Sequence, residues 1–344
     1  MKPSGRLASA PGGEPRAWKG LRAFVAVVAL VVLLVSGAAA GDSAFPYDRG
    51  GVGLPQARFA ARILEQGLRE RDIVRPPDPE QVQELFREAR KGGLDQSRVA
   101  GSLFPGSAAV LALLSAERDV DNFESDAEHS GRAGEFYRGE TLLVRHVQPL
   151  FRSYVELFTT AYDELGGPFA MAASGPAFAK RMRNGILPYA PGLGIAPPPR
   201  YQLADAHPYA LDLFFSRIER LSDGQEGPPI PSLSGGIVVA SARNWRGGAG
   251  IESWRGGGLS PSAGNGVVVY DPVSRRFFSY FHMRTTDRRP GDIVRPGDVL
   301  GIGGNTGMNA RRPGHGGHVH VEIFDAAADR SLDSYRILDL VRGR

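Results

Sequence analysis

The chain contains no cysteine. That absence excludes disulfides, thiol catalysis and thiolate metal sites. It also excludes a lipid-anchored lipoprotein, which needs a cysteine just after its apolar leader. Any metal must be held by His, Asp and Glu. A charge excess is missing as well. The formal net charge is +4, and residues 1–40 carry all of it through Lys2, Arg6, Arg16, Lys19 and Arg22 against Glu14. The rest is neutral, so no cationic field marks nucleic acid as a partner.

No apolar run reaches the roughly 20 residues a membrane-spanning helix needs. The longest, Ala23–Val35, follows the basic start and leads into Ser36-Gly-Ala-Ala-Ala-Gly41. This is the pattern of a signal peptide cleaved after Ala40, with an uncleaved anchor as the alternative. Both place the remainder outside the cytoplasm, in the periplasm or cell envelope. Membrane contact is then confined to an uncleaved N-terminal segment.

What remains is ordinary globular material, rich in Gly (45) and Pro (26), and 344 residues accommodate two domains. Residues 42–195 carry helical periodicity. Gln56–Arg71, Pro79–Lys91 behind an Asp78 N-cap, Ala108–Glu117 and Gly139–Leu165 are the candidate helices, with Pro149 kinking or dividing the last. Residues 186–200 hold five prolines and read as a connector. Beyond residue 200 the period changes to two. Gly236–Ala242, Gly266–Tyr270, Phe277–Met283, Val299–Ile302 and His318–Phe324 are short β-rich runs of an antiparallel sheet. The Gly-rich insertions 243–266 and 303–317 are expected as surface loops.

Five of the seven histidines follow residue 200. In His318-Val319-His320 the two imidazoles share one strand face. Alternation in Tyr280-Phe281-His282 predicts Tyr280 and His282 on a common face. His207-Pro-Tyr-Ala-Leu-Asp212 offers an imidazole and a carboxylate. Two histidines and an aspartate leave a tetrahedral zinc site with one position open. Asp205 competes with Asp212, and His315 makes an H-x-x-H with His318 but reads as a loop residue. His129 and His146 have no partners.

Residues 264–323 contain GNGVVVYDP, FFSYFHM, GDIVRPGDVLGIGGNTG and GHVHVEI in order. This series resembles the lysostaphin-type (LytM-like) zinc endopeptidases of bacterial cell-wall metabolism. The likeness covers about sixty residues firmly, residues 200–344 loosely and residues 42–195 not at all. It implies an α+β chain in which a helical region precedes an antiparallel β-sheet peptidase domain. It also implies one Zn²⁺ held by His207, Asp212 and His320, with His318 as general base and His282 steadying the attacking water or the oxyanion. The substrate implied is the peptide of peptidoglycan. Glu322, on the face of His318 and His320, either orients a histidine or forms a structural ion pair.

Two features depart from the pattern. Four residues separate His207 from Asp212 where the family has three, and a 23-residue segment precedes Gly236. An inactive relative that binds cell wall or activates another hydrolase is the alternative. A biotinyl- or lipoyl-type carrier is excluded because residues 201–344 lack lysine. The glycines at 301–307 lead into a strand, which excludes a dinucleotide loop. For residues 42–195 the expected role is autoregulation or docking of a protein partner.

Overall fold

The computed structural model describes residues 63–64, 66, 73–115, 133–167, 209–214, 227–247, 256–308, 310–312 and 317–342. The expected export segment, most of the helix expected at Gln56–Arg71, the proline-rich connector, Asp205, His129, His207 and His315 lie outside these residues.

Five helices and nine strands are described. Helices α1 (Pro79–Lys91), α2 (Gln96–Leu103), α3 (Ser107–Ser115) and α4 (Ala133–Glu164) come first. Strands β1 (Ala210–Phe214), β2 (Pro229–Pro231), β3 (Gly236–Ala242), β4 (Asn265–Asp271), β5 (Arg276–Thr285), β6 (Ile293–Val294), β7 (Val299–Gly303), β8 (His318–Asp325) and β9 (Arg330–Ser331) follow. Helix α5 (Ser334–Arg342) ends the chain. The α+β class and all five expected strands are present.

Helix α1 begins as its sequence dictates. Asp78 Oδ1 accepts from the Gln81 amide at 2.9 Å, Gln81 Oε1 accepts from the Asp78 amide at 3.1 Å, and Pro79 fills a position needing no N–H. Helices α2 and α5 have no counterpart among the expected elements. Pro149 does not divide α4, which runs unbroken through it.

The sheet is antiparallel throughout, in the order β1-β8-β5-β4-β3-β6, with β9 on β8, β7 on β5 and β2 on β7. Alternation gives each strand two different faces. One face of β8 shows Val319, Val321 and Ile323 to a core shared with Leu211, Val267, Phe278, Tyr280 and Ile337 and Leu338 of α5. The other face presents His318, His320, Glu322 and Phe324. Part of it is covered by the helices. Phe151 of α4 meets Phe277 at 5.6 Å and Phe324 at 6.0 Å, and Phe158 meets Tyr270 at 6.1 Å. Thr159 Oγ1 lies 3.2 Å from the Tyr270 hydroxyl, and the Ser241 amide donates to Ser107 Oγ at 3.0 Å. The described residues between 63 and 342 therefore share a core that runs from helices into sheet. Each aromatic ring buried there contributes about 1.5–3 kcal/mol.

Candidate active site

Register brings the expected residues together. Antiparallel pairing of β1 with β8 sets Asp212 opposite His320, and pairing of β5 with β8 sets Phe281 opposite His320 from the other side. Directly paired residues share a face, so carboxylate, imidazole and phenyl stand in a row. Asp212 Oδ1 lies 2.6 Å from His320 Nδ1 and 3.9 Å from His318 Nε2. Phe281 stacks on the His320 ring at 5.9 Å and 15°. The other nitrogen of His320, Nε2, lies 3.1 Å from Glu322 Oε1. Both readings offered for Glu322 thus hold in one contact: it forms an ion pair, and that pair orients His320.

Held between two carboxylates, the metal-free His320 ring carries both protons. Burial opposes the charge, but Asp212 and then Glu322 outweigh it and raise the pKa to about 10.

His282 arrives by a route that alternation does not foresee. Phe281 already faces His320, so a regular strand would send His282 to the opposite side. Its backbone is instead left-handed, with φ 64°, beside register shifts at Asn265/Val267 and Met283/Thr285. This turn brings the His282 ring to 4.7 Å from His318 and 5.7 Å from His320. Tyr280 is not its companion, contrary to the expected pairing. It is buried in the opposite core, where its hydroxyl accepts from the Leu233 amide at 2.7 Å.

A left-handed residue with a β-carbon costs roughly 1–2 kcal/mol and persists only where its surroundings hold it. Here the hold is visible. The His282 amide donates to Ala263 O at 3.0 Å, and its Nδ1 lies 2.7 Å from Thr306 O. Thr306 Oγ1 accepts from the Asn265 amide at 2.9 Å and donates to Met283 O at 2.7 Å, while Asn265 Nδ2 donates to Arg284 O at 2.9 Å. Gly307 has φ 104°, and a β-carbon there would stand 2.9 Å from His282 Nδ1. The Gly264-Asn265 and Asn305-Thr306-Gly307 segments are therefore a clasp for His282. Neither these residues nor the stacking Phe281 figured among the expected site residues, and only the two short motifs marked them. The tail of the first insertion is not surface loop: Leu259, Ser260 and Ala263 are buried.

A carbonyl oxygen only accepts, so His282 Nδ1 carries a proton and Nε2 the lone pair. Burial, and then the charges of His318 and His320, hold the His282 pKa well below its ordinary value, so the ring is neutral.

The fit to a metal is partial. Among the described residues no three His, Asp or Glu donors are grouped to hold an ion. Asp212 and His320 supply two donors of the right chemistry, with the second nitrogen of His320 tied to a carboxylate as in metal-ligating histidines. At 2.6 Å they are hydrogen-bonded. To hold an ion between them, Asp212 and His320 would have to give up that shared proton. The third expected donor, His207, lies outside the described residues.

No family model matches the chain, and no curated protein sequence does. Similar solved structures include the catalytic domain of the antimicrobial peptidase lysostaphin from Staphylococcus simulans, at 19% identity over 43% of this chain and 89% of that one, TM-score 0.28. Whole lysostaphin is similar at 19% identity over 46% of this chain and 55% of that one, TM-score 0.29. A zinc-containing peptidase from Vibrio cholerae is similar at 19% identity over 42% of this chain and 40% of that one, TM-score 0.27. The chain thus spans about half of whole lysostaphin and less of the Vibrio protein.

Proposed function

We propose that this chain is a zinc metallo-endopeptidase that hydrolyses peptide bonds of bacterial peptidoglycan. One observation carries the reading. Three imidazoles and a carboxylate, brought from β1, β5 and β8, converge within one buried corner of the sheet. Asp212, His320 and His207 would hold the ion. Zinc with one open position supplies Lewis acidity and makes water acidic enough to ionise near neutral pH.

The protein's own groups do the rest. Glu322 fixes the orientation of His320. His318 takes the proton of the attacking water and returns it to the leaving amine. His282, neutral and with Nδ1 committed to Thr306, offers Nε2 as an acceptor and so orients that water. The Thr306 contact supports the water-steadying half of its expected role, beside the oxyanion half. Phe281 and Phe214 keep the imidazoles out of bulk solvent, Phe214 lying 5.0 Å from His318.

We place the protein in the cell envelope, exported through residues 1–40. Among the described residues no single helix is long and apolar enough to cross a membrane. The helical region is open to a protein partner, although its residues Val82, Phe86, Tyr154 and Phe158 are themselves buried in the core.

Digestion of purified sacculi, with fragments identified by mass, tests the reading. Peptide fragments, about one bound zinc per chain and loss of activity with a chelator are expected. Hydrolysis that survives complete metal removal would sink the zinc mechanism. Wall binding with neither zinc nor hydrolysis would establish the inactive-module alternative.

A further inference from the structure

Two residues on the rim of the His282 corner have no part in the reaction above. The Trp245 amide donates to Asn265 Oδ1 at 2.8 Å, so Trp245 is tied to the clasp residue whose own amide meets Thr306. The Arg311 amide donates to the carbonyl of Gly307 at 3.0 Å, the glycine that lies against the His282 ring. The two loops are joined again where the Met308 amide donates to Pro261 O at 2.9 Å.

Their side chains cross. The Arg311 guanidinium carbon stands 5.8 Å from the centre of the Trp245 ring. Gly247, with φ 78°, makes room for the crossing: a β-carbon there would fall 2.7 Å from Arg311 Nη1 and 3.4 Å from Trp245 Cη2. An indole under a guanidinium attracts its charge and limits its motion, while the in-plane N–H donors remain available to a ligand.

The other arginines show what a structural role looks like here. Arg276 pairs with Asp325 at 2.9 Å and Arg90 with Glu164 at 2.7 Å. Arg311 is exposed, and among the described residues no carboxylate pairs with it. Its fork of donors matches a carboxylate in two parallel hydrogen bonds.

We propose that Arg311, held over Trp245, binds a free carboxylate of the peptide substrate and so selects substrates by their carboxylate. The substrate class rests on the peptidase reading above, whereas the binding chemistry stands on these two side chains.

Trp245 itself reports on the interaction. The full chain is titrated with a short wall-type peptide ending in a free carboxylate, with the same peptide as its C-terminal amide, and with inorganic phosphate. Tryptophan emission is followed each time, and Trp245→Phe assigns the signal. The free acid is expected to bind roughly 10-fold or more tightly than the amide, the worth of charge-assisted hydrogen bonds. Arg311→Gln brings that ratio to one, and Arg311→Lys retains part of it. Equal binding of acid and amide to the native chain overturns the proposal, as does phosphate binding as tightly as the acid peptide, which would mark a general anion site. Discrimination without hydrolysis of any peptide leaves Arg311 its role and removes the peptidase reading. Hydrolysis without discrimination does the reverse.

Discussion

A single strand face of β8 passes through two environments. Phe324 lies under Phe151 of α4 in a dry aromatic cluster, while His320 and His318, two and three alternations further along, face Asp212, Phe281 and His282. Exposure does not separate them: Phe324 is 5% exposed, His318 4% and His320 8%. Partner chemistry does. The covered half lowers free energy by removing apolar area from water. The site half keeps polar groups from water and is tolerable only because each is hydrogen-bonded or ion-paired. Glu322 marks the boundary, beside Leu111 and Leu114 of α3 on one side and hydrogen-bonded to His320 on the other. The helices therefore do more than precede the sheet. Their edge forms part of the low-dielectric surround in which the site's charges act.

The sharpest way to break this contrast is to truncate one residue in each half. Phe277→Ala, in the covered half, should cost about 3–5 kcal/mol of stability, seen as a lower urea midpoint. His318→Ala should leave fold and bound zinc in place yet slow hydrolysis by about 10²–10⁴-fold, seen in turnover beside metal analysis. Equal loss of stability in both variants would erase the distinction.

Glu322→Gln probes the boundary. Loss of the carboxylate on His320 should weaken zinc by roughly 10–100-fold while the chain stays folded, as read by competition with a chelating dye. His282 sharpens the contrast within the site half. Asparagine tolerates the left-handed backbone and valine does not, so His282→Val should be about 1–2 kcal/mol less stable than His282→Asn. Both should hydrolyse sacculi poorly. The smallest effect is expected at the rim of the covered half. Arg152 and Asp329 form an exposed pair at 3.9 Å, and Arg152→Ala should shift stability by less than about 1 kcal/mol in thermal unfolding.

The two halves also differ in how far the sequence discloses them. His318 and His320 were legible because a strand's period of two is local, and the β8 bounds follow from the same alternation. Asp212 was legible as a donor, although its place opposite His320 depends on strand register, which no local pattern specifies. His282 was found for the wrong reason. Its expected face-mate Tyr280 lies in the opposite core, because a left-handed turn held by Asn265, Thr306 and Gly307 cancels the alternation. Such a turn is a tertiary effect, and only the two motifs hinted at it. In α4 the apolar stripe through Phe151, Tyr154 and Phe158 was legible, but the surface it covers was not, since a hydrophobic stripe does not name its partner. Helix α5 was missed because its nine residues are too few for periodicity to stand out.

The aromatic seam between α4 and the sheet also carries a consequence for biosynthesis. Thr159 and Tyr270, joined across it, lie 111 residues apart. At about 5–20 residues per second, synthesis needs on the order of ten seconds to deliver the surface that the helix covers. Throughout that interval the stripe can rest only on the earlier helical segment, where Phe158 meets Phe104 at 4.9 Å, and loop-closure entropy slows capture of the sheet afterwards. The sheet-facing side of the stripe is thus the last part of this core to be completed.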